Sequence, residues 1–166
     1  MGESLIINSN HTTEEKYKLL IKQLNNLLNK KYNFLSNLSN LTAALKQNFD
    51  KISWVGFYLF DGKKLYLGPF QGQVACTEIE LGKGVCGISA EKRESVIVPD
   101  VDKFPGHIVC DTGSRSEIVV PIIKNDELFG VLDIDSYEYN SFDEIDRNLT
   151  VNGIQEFFKL VKGTQI

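Results

Sequence analysis

The sequence has no run of 18 apolar residues, and the longest near its start is Leu5-Ile6-Ile7, too short for a signal-peptide core or a membrane span. A soluble, cytoplasmic protein with no membrane partner is expected. Basic residues are too few and too scattered for a nucleic-acid face. The 18 Lys and Arg stand against 22 Asp and Glu, a formal charge of -4, and no stripe of them could neutralise phosphates. Cysteine is scarce: Cys76, Cys86 and Cys110 are the only three, in no CxxC spacing. That argues against a secreted disulfide framework and against a zinc knuckle, and leaves thiol chemistry open. No internal repeat occurs. What is present is a chain of 166 residues that is 42% apolar, with 10 Phe and 6 Tyr, enough to fill one core but not two. One domain over 1–166 is expected, with the polar, aperiodic segment 1–11 flexible.

Thr12 and Glu15 have the spacing of a capping box, in which each side chain satisfies the other's orphan amide. Tyr17, Leu20, Ile21, Leu24, Leu27 and Leu28 follow at steps of three and four, the stripe of an amphipathic helix. Leu38, Leu41, Leu45 and Phe49 predict a second helix ending near Asn48. From Ile52 the period switches to two. Residues 53–59 and 64–70 read as a hairpin turning at Asp61-Gly62, and 74–81 reads as a third strand. A short helix through Arg93 and a strand at 95–98, closed by Pro99, come next. Residues 100–114 have no period, and long ordered loops in small domains tend to carry function. A second hairpin, 117–123 with 129–135, turns at Asn125-Asp126, and Ser141 with Glu144 predicts the cap of a terminal helix through Leu149, Phe157 and Leu160. The class is α+β: an antiparallel sheet of five or six strands with helices gathered on one face.

Several residues could carry chemistry. Gly82, Gly84 and Gly87 match a dinucleotide fingerprint, but they follow a meander and do not open a βαβ unit, so no nucleotide cofactor is expected. Their turn could still present helix amides to a carboxylate. Cys110, between Gly106 and Gly113, is the most accessible thiol of the set. His107 and Arg115 would lower its pKa and Asp111 would raise it. Cys86 on a turn could approach it as a redox pair, while Cys76 on a strand reads as core. A metal site from the three cysteines and His107 would need spacings of 10 and 24, which fit no finger or ribbon, so no metal is expected. Asp133 and Asp135 alternate with Leu132 and Ile134, which puts both carboxyls on one strand face behind Phe129 and Val131. Two carboxyls in a dry site do not both ionise cheaply, so one could donate a proton at neutral pH. Glu117 on the neighbouring strand could join them. Trp54 and Tyr58 share a face with Gly56 between them, a wall suited to a methyl, a sulfur or an ammonium group. Together these features suggest reduction of a small sulfur-containing molecule.

The segments Gly84-Val85-Cys86-Gly87, Gly106-His107-Ile108-Val109-Cys110-Asp111, Ser116-Glu117-Ile118-Val119-Val120-Pro121 and Gly130-Val131-Leu132-Asp133-Ile134-Asp135-Ser136 together resemble the free methionine-(R)-sulfoxide reductases, single GAF-domain enzymes. The resemblance runs over about 12–158. It implies that Cys110 attacks the sulfoxide sulfur of free methionine sulfoxide and becomes a sulfenic acid. A second cysteine, Cys86 in preference to Cys76, then converts it to a disulfide that thioredoxin reduces. By the same resemblance Trp54 and Tyr58 cradle the methyl sulfoxide, and Glu117, Asp133 and Asp135 bind the ammonium group and protonate the oxygen. It also implies a homodimer and no cofactor beyond the protein reductant. The alternative is a ligand-binding or redox-sensing GAF module without catalysis.

Overall fold

A computed structural model describes residues 10–28 and 31–160. The stretch 1–9, with Leu5-Ile6-Ile7 and most of the segment expected to be flexible, lies outside the described residues. Helix α1 (Thr13–Leu27) opens on the expected capping box: Thr12 Oγ1 accepts from the Glu15 amide at 3.2 Å, and the Thr12 amide donates to the Glu15 carboxylate at 2.8 Å. Helix α2 (Phe34–Asn48) starts at Asn33, whose side chain accepts from the Leu35 amide. Among the described residues six strands follow, β1 (Trp54–Phe60), β2 (Lys64–Gln71), β3 (Glu78–Glu80), β4 (Val96–Val98), β5 (Ser116–Lys124) and β6 (Glu127–Ser136). They form one antiparallel sheet in the order β3-β2-β1-β6-β5-β4. Helix α3 (Gly84–Lys92) lies between β3 and β4, and α4 (Glu144–Leu160) is the last element among the described residues.

Alternation along the central strands divides the interior in two. Val55, Phe57, Leu59, Ile118, Val120, Leu132 and Ile134 face α1, α2 and α4. Trp54, Tyr58, Val119 and Val131 face the other way, against Val85, Cys86 and Ala90 of α3. The helices at the two ends of the chain thus share a face as expected, whereas α3 covers the opposite one. The α1 stripe of Tyr17, Leu20, Leu24 and Leu28 is spent inside this chain's own core. Each such fully buried side chain contributes about 1.5–3 kcal/mol. Among the described residues no helix is long and apolar enough to cross a membrane.

Two local expectations are corrected. The terminal helix is capped by Asp143, which accepts from the amides of Ile145 and Asp146, while Asp146 accepts from the Asp143 amide. Ser141 instead bonds Ser136 and the Glu138 carbonyl. Phe129 does not share the acid-bearing face. The register between β5 and β6 slips beside Gly130, and Phe129 packs on Phe34 and Phe158 of the helical layer. A side chain at Gly130 would meet the Tyr58 carbonyl at 2.3 Å, so the slip sits where β1 and β6 approach too closely for any Cβ.

Candidate active site

Asp133 and Asp135 project from β6 toward the α3 side, and Glu117 projects from β5 directly opposite Asp135. Across β6, Asp135 pairs with Trp54 and Asp133 with Gly56. The carboxyls therefore form one floor, with Glu117 and Asp133 only 5% and 7% exposed. All three are pushed well above the usual carboxylate range. Burial is the main cause in each; the neighbouring carboxylate follows, Asp135 for Glu117, Glu117 for Asp133 and Asp133 for Asp135. Each is thus inclined to keep its proton, since a cluster of like charges in a dry site is costly. Ser114 Oγ donates to Asp135 at 2.7 Å, whereas Asp133 Oδ1 has no hydrogen-bond partner. His107 Nε2 lies 3.6 Å from the Glu117 carboxyl. Burial holds His107 below its ordinary pKa.

One wall of the pocket is aromatic. Trp54 stacks on Tyr58 with ring centres 6.1 Å apart, and on Phe70 at 5.5 Å. Gly56 does not leave an open gap between the rings: the indole lies over it, and a Cβ there would come within 2.3 Å of the Trp54 ring. Both polar ends of the wall are used. Trp54 Nε1 donates to the Gln73 carbonyl at 2.9 Å, and the Tyr58 hydroxyl donates to the Cys76 carbonyl at 3.0 Å. Burial pushes the Tyr58 phenol up, so it remains a donor. These two bonds fix the loop between β2 and β3 at the pocket's edge.

That loop carries Cys76, which is not on a strand, because β3 begins only at Glu78. Cys76 is bonded to Cys110, with an S–S distance of 2.03 Å and Cα atoms 5.4 Å apart. This corrects the preferred pairing. Cys86 is a free thiol, buried inside α3 and not on a turn, and burial raises its pKa well above that of an ordinary thiol. Its sulfur, the Glu117 carboxyl and the Asp133 carboxyl lie within 4.8 Å of one another. With Cys76 and Cys110 joined, a metal site using all three cysteines does not form. The Cys110 loop is braced by Asp111, which accepts from the Gly113 amide at 2.8 Å and the Tyr137 hydroxyl at 2.9 Å. Arg115 braces it too, donating to the Thr112 and Ser114 carbonyls.

Trp54, Tyr58, Cys86, Cys110, Glu117, Asp133 and Asp135 all line one pocket, whose empty space, open mouth included, is about 530 Å³. That lies in the lower part of the range for small-molecule sites. Lys83 and Gly84, at the start of α3, form part of the rim of the same pocket. Ser114 and Lys83 were not singled out from the sequence. The only hint of Ser114 is its place just before a strand that bears an acid, and Lys83 stands between the two glycines of the α3 turn.

A family model described as a GAF domain matches residues 38–151. The chain is 52% identical over 147 residues to GAF domain-containing protein A of Dictyostelium discoideum, covering 88% of this chain and 92% of that one. It is 46% identical to the free methionine-R-sulfoxide reductase of Saccharomyces cerevisiae, covering 84% and 82%. Its fold superposes with a TM-score of 0.91 on the X-ray structure of free methionine-R-sulfoxide reductase from Neisseria meningitidis in complex with its substrate. That match is 37% identical and covers 99% of this chain and 98% of that one.

Proposed function

We propose that this chain, which belongs to the GAF domain family and within it to the free methionine-R-sulfoxide reductases, reduces free L-methionine-(R)-sulfoxide to L-methionine in the pocket between the sheet and α3. The observation that carries this reading is the Cys76–Cys110 bond at the edge of a pocket floored by three carboxyls, Glu117 and Asp133 buried and Asp135 half-buried.

In the reduced enzyme Cys110 attacks the sulfoxide sulfur as the sulfoxide oxygen takes up a proton from the acid floor. Collapse of the adduct transfers that oxygen to Cys110, so methionine leaves and the thiol becomes a sulfenic acid. The Cys76 thiol then attacks the Cys110 sulfur, water departs and the disulfide forms. Two electrons return from a dithiol protein, for which thioredoxin is the candidate, so no bound cofactor enters. Protonation is required because the oxygen is a poor leaving group as oxide, and carboxyls that keep their protons at neutral pH suit the task. Trp54 and Tyr58 offer rings to the methyl sulfoxide.

A free amino acid also carries two charges. The substrate's ammonium supplies the opposite charge that lets one floor carboxyl ionise beside it while another keeps its proton, and the amides at the start of α3, with Lys83, suit the carboxylate. A peptide-bound sulfoxide lacks both charges and would leave those groups unpaired, which gives selectivity for the free amino acid. A homodimer completes the proposal and is checked by sedimentation.

NADPH oxidation coupled through thioredoxin reductase and thioredoxin tests the reading with the free R epimer, the free S epimer and a peptide sulfoxide. Turnover with the free R epimer alone, lost in Cys110→Ser, is expected. Absence of turnover with all three, although thioredoxin reduces the disulfide, would leave a binding or sensing module.

A further inference from the structure

The reductase chemistry uses Cys110 and Cys76 and gives Cys86 no part. Yet Cys86 is buried and has its sulfur within 4.8 Å of both the Glu117 and Asp133 carboxyl oxygens. Asp133 Oδ1, on a residue more than nine-tenths buried, has no hydrogen-bond partner. His107 Nε2 stands 3.6 Å from Glu117 and lines the same pocket, outside that three-residue cluster.

We propose that Cys86, Glu117 and Asp133 form a binding site for a borderline divalent cation of the Zn²⁺ type. A thiolate and two carboxylates are three of the four donors of a tetrahedral site for that class, and water supplies the fourth. The sulfur selects against Mg²⁺ and Ca²⁺, which take oxygen ligands. Donors on a tetrahedral Zn²⁺ stand about 3.5 Å from each other, so three donors already within 4.8 Å need side-chain adjustment and no movement of strands. The cation enters by the pocket mouth, takes the place of the protons on the thiol and carboxyls, and releases them to solvent. The Cys76–Cys110 bond removes the other two sulfurs from competition, so in the oxidised protein Cys86 is the one thiol available. If the floor also receives the substrate's ammonium, as the proposed function has it, the cation inhibits turnover in competition with substrate. That consequence rests on the reductase reading, whereas binding itself does not.

The test uses the tag-free full chain in its disulfide form, titrated with Zn²⁺ by calorimetry and with Cd²⁺ by ultraviolet absorption, where a sulfur ligand produces a thiolate-to-metal band. One cation per chain and a Cd²⁺–thiolate band are expected. Both should be lost in Cys86→Ala, with affinity down more than about 100-fold. Asp133→Asn provides a second variant that keeps the side chain's shape and should weaken binding in the same sense. Mg²⁺ in excess should not displace Zn²⁺. Absence of stoichiometric binding, absence of the band, or unchanged binding in both variants would each overturn the site. Stoichiometric binding by a protein inactive on every sulfoxide would retain the site and refute the reductase reading instead.

Discussion

Replacing Asp133 by Asn should stabilise the protein, and increasingly so as the pH rises. In the unfolded chain an aspartate titrates near 3.9. In the folded chain burial, and then the Glu117 carboxylate, push Asp133 well above that. Below the unfolded pKa both states hold the proton and the group makes no difference. Above it the unfolded chain gives up the proton and the folded chain does not, so the folded state loses about 1.4 kcal/mol per pH unit until its own pKa is reached. Asn has nothing to ionise and nearly the same shape. Asp133 is also the leading carboxylate acting on Asp135, so the substitution relieves a second group as well. Between pH 5 and 7 the advantage of Asp133→Asn over wild type should grow, at a rate of no more than about 1.4 kcal/mol per pH unit for the one site. For a chain of this size each kcal/mol corresponds to a relative gain in Tm of about 2–4 °C. Differential scanning calorimetry across that range, on oxidised protein without added metal, reads it directly. Parallel Tm-against-pH curves for the two proteins would refute the account of a protonated floor.

Three further outcomes follow from single contacts. Gly56→Ala puts a Cβ into the Trp54 ring and against Phe70; displacing the indole should cost about 1–3 kcal/mol and raise KM for the sulfoxide, measured by thermal melting and steady-state kinetics. Asp146→Ala removes a 2%-exposed carboxylate that binds Lys51 Nζ at 2.6 Å and caps α4. It should lower stability by about 3–5 kcal/mol in urea denaturation. Reducing the Cys76–Cys110 bond, which spans 34 residues, frees unfolded-chain entropy worth about 4 kcal/mol, and Tm should fall by about 8–15 °C.

The fold was legible where one period ran uninterrupted. The α1 and α2 stripes, the hairpin at Asp61 and the acid-bearing face of β6 follow from spacings of three to four or of two, because each side chain's direction is fixed by its own backbone. Departures occur where a neighbour decides. Phe129 changes face because Gly130 meets Tyr58 on another strand. The α4 cap moves from Ser141 to Asp143 because the reciprocal Asp143–Asp146 pair competes for the same amides. Cys76 reads as a strand residue by alternation, yet β3 pairs with β2 only at Lys64, Leu65 and Tyr66, and the aromatic wall holds the preceding loop elsewhere. The glycines around Cys86 read as a turn, whereas α3 begins at Gly84 and buries the thiol. The acids and rings of the pocket were found from the sequence since they lie on adjacent strands. The cysteine pairing was not, since it depends on how two loops meet across 34 residues.

A single-turnover experiment bears most directly on the account. Fully reduced protein, freed of reductant, is mixed with free L-methionine-(R)-sulfoxide; methionine is quantified, and the cysteines are mapped by alkylation and mass spectrometry. One methionine per chain, a new Cys76–Cys110 bond and an intact Cys86 thiol are expected. Absence of methionine, or a disulfide that joins Cys110 to Cys86 and leaves Cys76 free, would contradict the account.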